Sequence, residues 1–278
     1  MTTKPEYFPT VGKIAYEGPE STNPLAFKCY NPDEVIMGKT MKAWLRYAVC
    51  WWHSFNGGMG RDPFSFDKTQ VRSCDKDDSM ETYTERVHAA FEFFSKLGVK
   101  YYTFHDLDVA PQGKTIDESQ RNLDVITDLM LQKQAETGIK CLWGIQNLFS
   151  DIKFKDGGAT NPNLVTFAHA CAQTRKAMEI TKKLGGLNHV FWGGREGFMT
   201  PLNTDVRREL DHYAAFLKMV VDYKAKIGAD FQLLVEPKPR EPTVHHAVAR
   251  ESERLHKREL LAGPPSPLCI CSTAPNTW

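Results

Sequence analysis

Four short runs of aromatic and aliphatic residues, 100–104, 140–145, 189–192 and 231–235, are separated by helical patterns, so that strand and helix alternate at roughly forty-residue intervals. That rhythm belongs to βα units and a parallel sheet, because each return to a parallel strand needs a crossover helix. The helical patterns have legible ends. Val87, Ala90, Phe91, Phe94 and Leu97 form a stripe closed by Gly98, and Leu123, Ile126 and Met130 form another between a Thr115/Glu118 capping box and Gly138. Asn161-Pro162 is expected to open a third helix running to Gly185-Gly186. Thr204 is expected to cap a fourth, with Leu210, Tyr213, Ala214, Leu217 and Val221 inward and Gly228 at its end. A fifth strand is placed around residues 47–52.

Two closures suit such a chain: an open doubly wound sheet, or a (β/α)₈ barrel. No Gly-x-Gly-x-x-Gly turn and no phosphate-binding Gly-x-x-x-x-Gly-Lys loop follows any strand, so the nucleotide-binding versions of the open sheet lose support. A TIM barrel gathers its chemistry at the carboxyl ends of strands, and each strand here ends in suitable residues. They are His105-Asp-Leu-Asp108, Trp143, Trp192-Gly-Gly-Arg195-Glu196 and Glu236-Pro-Lys238. Five such strands do not close an eight-stranded barrel, so the expected fold class is α/β, a parallel (β/α)₈ TIM-barrel type of which the chain carries the N-terminal part. Residues 1–80 are read as an N-terminal extension with the start of the barrel, 81–242 as a partial barrel, and 243–278, rich in Pro and Ser toward its end, as a divergent disordered tail.

Thirty-five Lys and Arg against thirty-four Asp and Glu leave a net charge of +1, which gives no field for nucleic acid or a membrane surface. Recognition must be local. The first residues lack the apolar run of a secretory leader, and no stretch has the length of a bilayer span, so a cytoplasmic location is expected. The seven cysteines are odd in number and scattered, which reads as free thiols in a reducing compartment; Cys269 and Cys271 are too close for a zinc knuckle and read as incidental thiols.

A carboxylate that accepts one ring N–H of a histidine fixes its tautomer and frees the other nitrogen to move a proton, a role open to Asp108 and His105. The plainer alternative is a surface turn. Trp143 and Trp192 sit where flat apolar walls would border a pocket and suit the C–H faces of sugars, though the same positions can simply fill the barrel top. Glu236 and Lys238 lie two apart and so share one side of a strand. Glu236 can ligate a hard divalent cation and Lys238 can hydrogen-bond a developing oxyanion; the competing reading is a mutual salt bridge.

These segments together resemble the xylose isomerase family, in its longer class with an N-terminal extension, over about residues 7–245. The matching stretches are Tyr7-Phe-Pro, Glu17-Gly-Pro with Asn23-Pro-Leu-Ala-Phe, Trp52-His53-Ser-Phe and Tyr101-Tyr-Thr-Phe-His105-Asp-Leu-Asp108. They continue through Ala159-Thr-Asn-Pro, Val190-Phe-Trp192-Gly-Gly-Arg-Glu-Gly197, Leu202-Asn-Thr-Asp205 and Glu236-Pro-Lys238-Pro. The resemblance implies an aldose–ketose isomerase that converts D-xylose to D-xylulose by a metal-assisted hydride shift between C1 and C2, with two divalent ions (Mg²⁺, Mn²⁺ or Co²⁺) and usually a homotetramer. It implies that His105, oriented by Asp108, assists opening of the sugar ring. Trp143 and Trp192 wall the pocket, Lys238 hydrogen-bonds the carbonyl oxygen, Glu236 holds metal, and Phe64 covers the site of a neighbouring subunit.

Two departures stand out. Ile145-Gln146-Asn147 replaces the family's common Thr-Ala-Asn, which removes a pocket hydroxyl and leaves another aldose, such as glucose, as a candidate substrate. After Val244 the chain leaves the family's pattern, and after Glu236 its acids are only Glu241, Glu251, Glu253 and Glu259, too few and too dispersed for a two-metal oxygen cage. The expectation is a truncated chain of impaired activity. The alternative is a non-catalytic fragment that binds sugar weakly or associates with intact subunits.

Overall fold

A computed structural model describes residues 6–55, 77–196, 202 and 205–236, and the backbone of 268–270. Its centre is a six-stranded sheet made of β3 (Ala48–Cys50), β4 (Tyr101–His105), β5 (Lys140–Ile145), β6 (Asn188–Phe191), β7 (Gln232–Val235) and β8 (Leu268–Ile270). Before it comes a small antiparallel hairpin, β1 (Val35–Ile36) and β2 (Lys39–Thr40). The helices are α1 (Met41–Trp44), α2 (Trp51–Phe55), α3 (Met80–Leu97), α4 (Asp106–Val109), α5 (Ile116–Thr137), α6 (Leu164–Lys183) and α7 (Val206–Ile227).

Strand order follows chain order from β3 to β8, and every neighbouring pair is parallel. This order decides between the two closures. A doubly wound sheet reverses direction of growth at a switch point, whereas a sheet that adds each strand to the same edge by right-handed crossovers puts all its helices on one face. Helices α3, α5, α6 and α7 pack side by side in sequence order on that face. The fold is therefore a partial TIM barrel.

Side-chain alternation separates the faces. Tyr102, Phe104 and Cys141 point outward into a core shared with Val87, Phe91 and Phe94 of α3 and Ile126 and Met130 of α5. Phe191, Leu233 and Val235 do the same against Tyr213, Phe216 and Leu217 of α7. One extra residue, Leu142, bulges from β5 where Tyr102 pairs with Cys141 but Thr103 with Trp143. The bulge restores phase, so that Thr103, His105, Trp143 and Ile145 share the inner face.

The helix ends follow their chemistry with some shifts. Gly98, Gly138 and Gly228 take the left-handed conformation at the ends of α3, α5 and α7. Thr115 accepts the Glu118 N–H as expected, but the Glu118 carboxylate reaches the N–H of Lys114, one residue outside the box. Asn161 does not cap α6. Its amide donates to the Gly157 carbonyl, and Asn163 is the cap, accepting from Val165 and Thr166. The cap of α7 is Asp205, which accepts from Arg208, and Thr204 lies outside the described residues. On α7 the buried stripe is centred one step round from the expected one, on Tyr213, Phe216, Leu217 and Val220.

Residues 268–270, including Cys269, run as β8 beside β7, where an edge strand with open N–H and C=O groups recruits any segment that can pair. Cys271 lies outside the described residues. In the N-terminal segment, the Glu92 carboxylate on α3 accepts the N–H groups of Tyr7 and Phe8 at 2.8 and 2.9 Å. Those two bonds hold the segment's start against the first core.

Gly144 is packed where a side chain has no room: a Cβ there would overlap the Thr181 hydroxyl and lie 3.1 Å from the Phe104 ring. Gly144→Val is expected to lower unfolding free energy by about 1–3 kcal/mol, the usual range for overpacking. Denaturant titration checks this, and an unchanged midpoint would show that α6 does not pack on β5 as described.

Candidate active site

All six strands run the same way, so the residues that follow them emerge on one rim. At β4 the rim opens with His105, which is 5% exposed, and with Asp108, which is fully buried. One carboxylate oxygen of Asp108 accepts both the main-chain N–H and the ring Nδ1–H of His105, each at 2.8 Å. A carboxylate can only accept, so the Nδ1 carries the proton and Nε2 is left as the basic nitrogen. The turn of helix in α4 produces this pairing by bringing positions three apart together.

An arc of rings surrounds the imidazole. Trp52, on α2 just past β3, lies 4.5 Å from the His105 ring and 5.3 Å from the Trp143 ring, centroid to centroid. On the other side Phe149 lies 5.2 Å from His105 and 4.7 Å from Trp192, edge to face. His105 thus sits in the middle of Trp143, Trp52, Phe149 and Trp192. The structure gathers the four expected residues His105, Asp108, Trp143 and Trp192 into one continuous group, and adds two that sequence reasoning did not place in it. Trp52 ends the fifth expected strand and opens one of the family-like stretches, which were the available signals. Phe149 had none, since its role comes from the path of a loop.

Ile145 is buried on the inner face and pairs with His105 across β4 and β5. Gln146, next along, meets the Nε2 of His189 at 2.9 Å, while the His189 Nδ1 meets the Thr181 hydroxyl at 2.9 Å. Burial pushes the His189 imidazole down to about 3, so it stays neutral and acts as a polar strut between sheet and α6.

Glu236 follows β7, and its N–H donates to the Phe191 carbonyl at 2.9 Å, which ties it to the exit of β6. It continues the alternation of Gln232 and Leu234, the β7 residues of the inner face. Lys238 and Phe64 lie outside the described residues. Among the described residues no group of three or more His, Cys, Asp or Glu side chains is placed to hold a metal ion. The described residues therefore do not make a two-metal cage.

Buried carboxylates brace the loops behind this arc. Asp106 accepts the N–H groups of Leu107 and Asn147 at 2.9 and 2.8 Å and the Gln173 amide at 2.8 Å, and burial raises its carboxyl to about 6. It also borders a cleft of about 180 Å³ with Gln112, Lys114, His169 and Lys176, on the helix side and away from the ring arc. At β6, Glu196 accepts three successive N–H groups of the loop after β5. Beside it, burial and the neighbouring Glu196 charge raise the Glu209 carboxyl to about 7.

The chain is 53% identical over 239 residues to a xylose isomerase of Rhodopirellula baltica, and 50% identical over 240 residues to a xylose isomerase of Hordeum vulgare. Each match covers 86% of this chain, and 54% and 50% of the two relatives. The chain thus spans about half the length of the curated relatives it matches. Among solved structures, a D-psicose 3-epimerase with D-tagatose from Clostridium cellulolyticum H10 superposes with a TM-score of 0.51 at 10% identity, over 82% of this chain and 63% of that one, which is a likeness of fold. No protein-family model matches the chain. Among the described residues no helix is long and apolar enough to cross a membrane.

Glu209 sets a pH dependence. Its folded value lies above its unfolded one, so its stabilising proton is present in full below about 4.5 and is lost as pH rises toward about 7. Glu209→Gln is expected to remove that slope, so the variant gains on the wild type in denaturant stability between pH 4.5 and 7.5. A difference that stays constant across this range would contradict the burial of Glu209 against Glu196.

Proposed function

We propose, from the premise that this chain belongs to the xylose isomerase family over 86% of its length, that its rim is the sugar-opening and sugar-walling side of an aldose–ketose isomerase site acting on D-xylose. The single observation that carries the reading is the Asp108–His105 pair set among four aromatic rings.

Opening an aldopyranose requires a proton to leave the anomeric hydroxyl and a proton to reach the ring oxygen. In this reading the His105 Nε2 accepts the first, Asp108 stabilises the imidazolium so formed, and the imidazolium returns that proton to the ring oxygen as the ring C–O bond breaks. Trp52, Trp143, Phe149 and Trp192 offer C–H-matching faces and keep water from the open chain. In the isomerisation that follows, a hydride moves from C2 to C1 while the O2 proton moves to O1, so aldose and ketose balance without an external reductant. Lys238 is assigned the hydrogen bond to the carbonyl oxygen and Glu236 a metal contact. The described residues do not complete a metal cage, and further oxygen ligands are a chemical requirement of the family's reaction.

That same requirement favours a second reading, a non-catalytic chain that binds sugar weakly or joins intact subunits as part of a homo-oligomer. Ile145, buried beside His105, keeps glucose as an alternative aldose. A coupled D-xylulose assay with added Mn²⁺ separates the readings. Turnover that falls at least about 100-fold in both His105→Asn and Lys238→Met, as expected for a proton-transfer group and an oxyanion donor, supports the enzyme. Folded protein that binds D-xylose without turnover supports the second reading, and folded protein that neither binds nor turns over any aldose and does not associate with intact xylose isomerase subunits overturns both.

A further inference from the structure

The carboxylate of Glu196 sits at the exit of β6 and is only 3% exposed. One of its oxygens accepts the N–H groups of Gly158 and Ala159 at 3.1 and 2.9 Å; the other accepts the N–H and the hydroxyl of Thr160 at 2.9 and 2.7 Å. Three successive main-chain N–H groups converging on one point form the kind of concavity that usually holds a foreign anion. Here the chain supplies the anion itself. Gly157, at φ +90°, lets the loop approach: a Cβ there would stand 2.7 Å from a Glu196 oxygen.

The two segments joined by this contact carry the two halves of the aromatic wall on its Trp192 side. Phe149 leaves β5 nine residues before Gly158, and its N–H is fixed by the Asn147 side chain. Trp192 precedes Glu196 by four residues, in a turn closed by the bond from the Glu196 N–H to the Gly193 carbonyl. The Trp192 ring lies over Gly194, where a Cβ would come within 2.8 Å of it and 3.2 Å of Phe149. Wall and clamp are thus the two ends of the same pair of loops.

We propose that Glu196 is a positioning residue that clamps the β5 and β6 loops and thereby sets the Phe149–Trp192 wall against which the sugar packs. The wall part stands on geometry alone; the sugar part rests on the isomerase reading. Glu196→Gln replaces one acceptor oxygen with an amide that faces two donors, so the clamp loses bonds at buried groups.

The test is acrylamide quenching of Trp192 in the full chain, isolated by subtracting the matching Trp192→Phe protein, together with a D-xylose titration read by tryptophan fluorescence. In Glu196→Gln the Trp192 quenching constant is expected to rise about two-fold as local opening increases, with far-UV circular dichroism unchanged. D-xylose affinity is expected to fall about ten-fold, which corresponds to about 1.4 kcal/mol. Thr160→Val, which removes one of the four bonds, is expected to move both readouts the same way by less, and Thr160→Ser to restore them; this pair decides the matter if Glu196→Gln does not fold. Unchanged Trp192 quenching in the folded variants overturns the clamp whatever the sugar does. Increased quenching with a wild type that does not respond to D-xylose leaves the clamp supported and overturns the isomerase reading.

Discussion

Everything at the rim depends on the direction of the strands. Residues far apart in sequence, from Trp52 to Glu236, come out at the same edge because each crossover helix returns the chain to start the next strand in parallel. Sequential growth at one edge also gives the sheet two unlike faces. The outer one is packed largely with aromatic and aliphatic side chains under four helices, while the inner one carries Thr103, His105, Trp143 and Glu236, residues with chemistry to offer.

A rim built from loops needs something stiffer than loops to hold it, and three buried carboxylates supply this. Asp108 takes the main chain and ring of His105, Asp106 ties the β4 exit to the β5 exit through Asn147 and Gln173, and Glu196 ties the β5 loop to the β6 exit. Each satisfies backbone donors that would be costly to bury unpaired. The aromatic arc lies over this frame, and its ring contacts run unbroken from Trp143 to Trp192 through His105. The chemistry and the bracing are different residues, which explains why acids are so dense where no metal cluster forms among the described residues.

Much of this was legible in the sequence wherever the signal was local. The strands at 101–105, 140–145 and 232–235 declared themselves by short aromatic and aliphatic runs, and three helix ends by glycines that only a left-handed turn would need. His105 and Asp108 are one helical turn apart, so their pairing was readable too. What escaped depends on where loops travel. Asn161 looked like a cap, but its amide found the Gly157 carbonyl and left the task to Asn163. Phe149 and the Glu196 clamp are made by contacts across 36 to 44 residues of chain, and β8 by pairing with an edge already built. No periodicity encodes such meetings.

The sugar reading requires that Trp52, Trp143 and Trp192 border one basin with His105. The most direct measurement is ¹⁹F NMR of the chain labelled with 5-fluorotryptophan and titrated with D-xylose, each resonance assigned by single Trp→Phe replacement. The signals of these three indoles are expected to move together along one binding curve, while Trp51, buried under α3, and Trp44, exposed beside the hairpin, stay in place. Shifts confined to Trp44 or Trp51, or separate curves for Trp143 and Trp192, would contradict it.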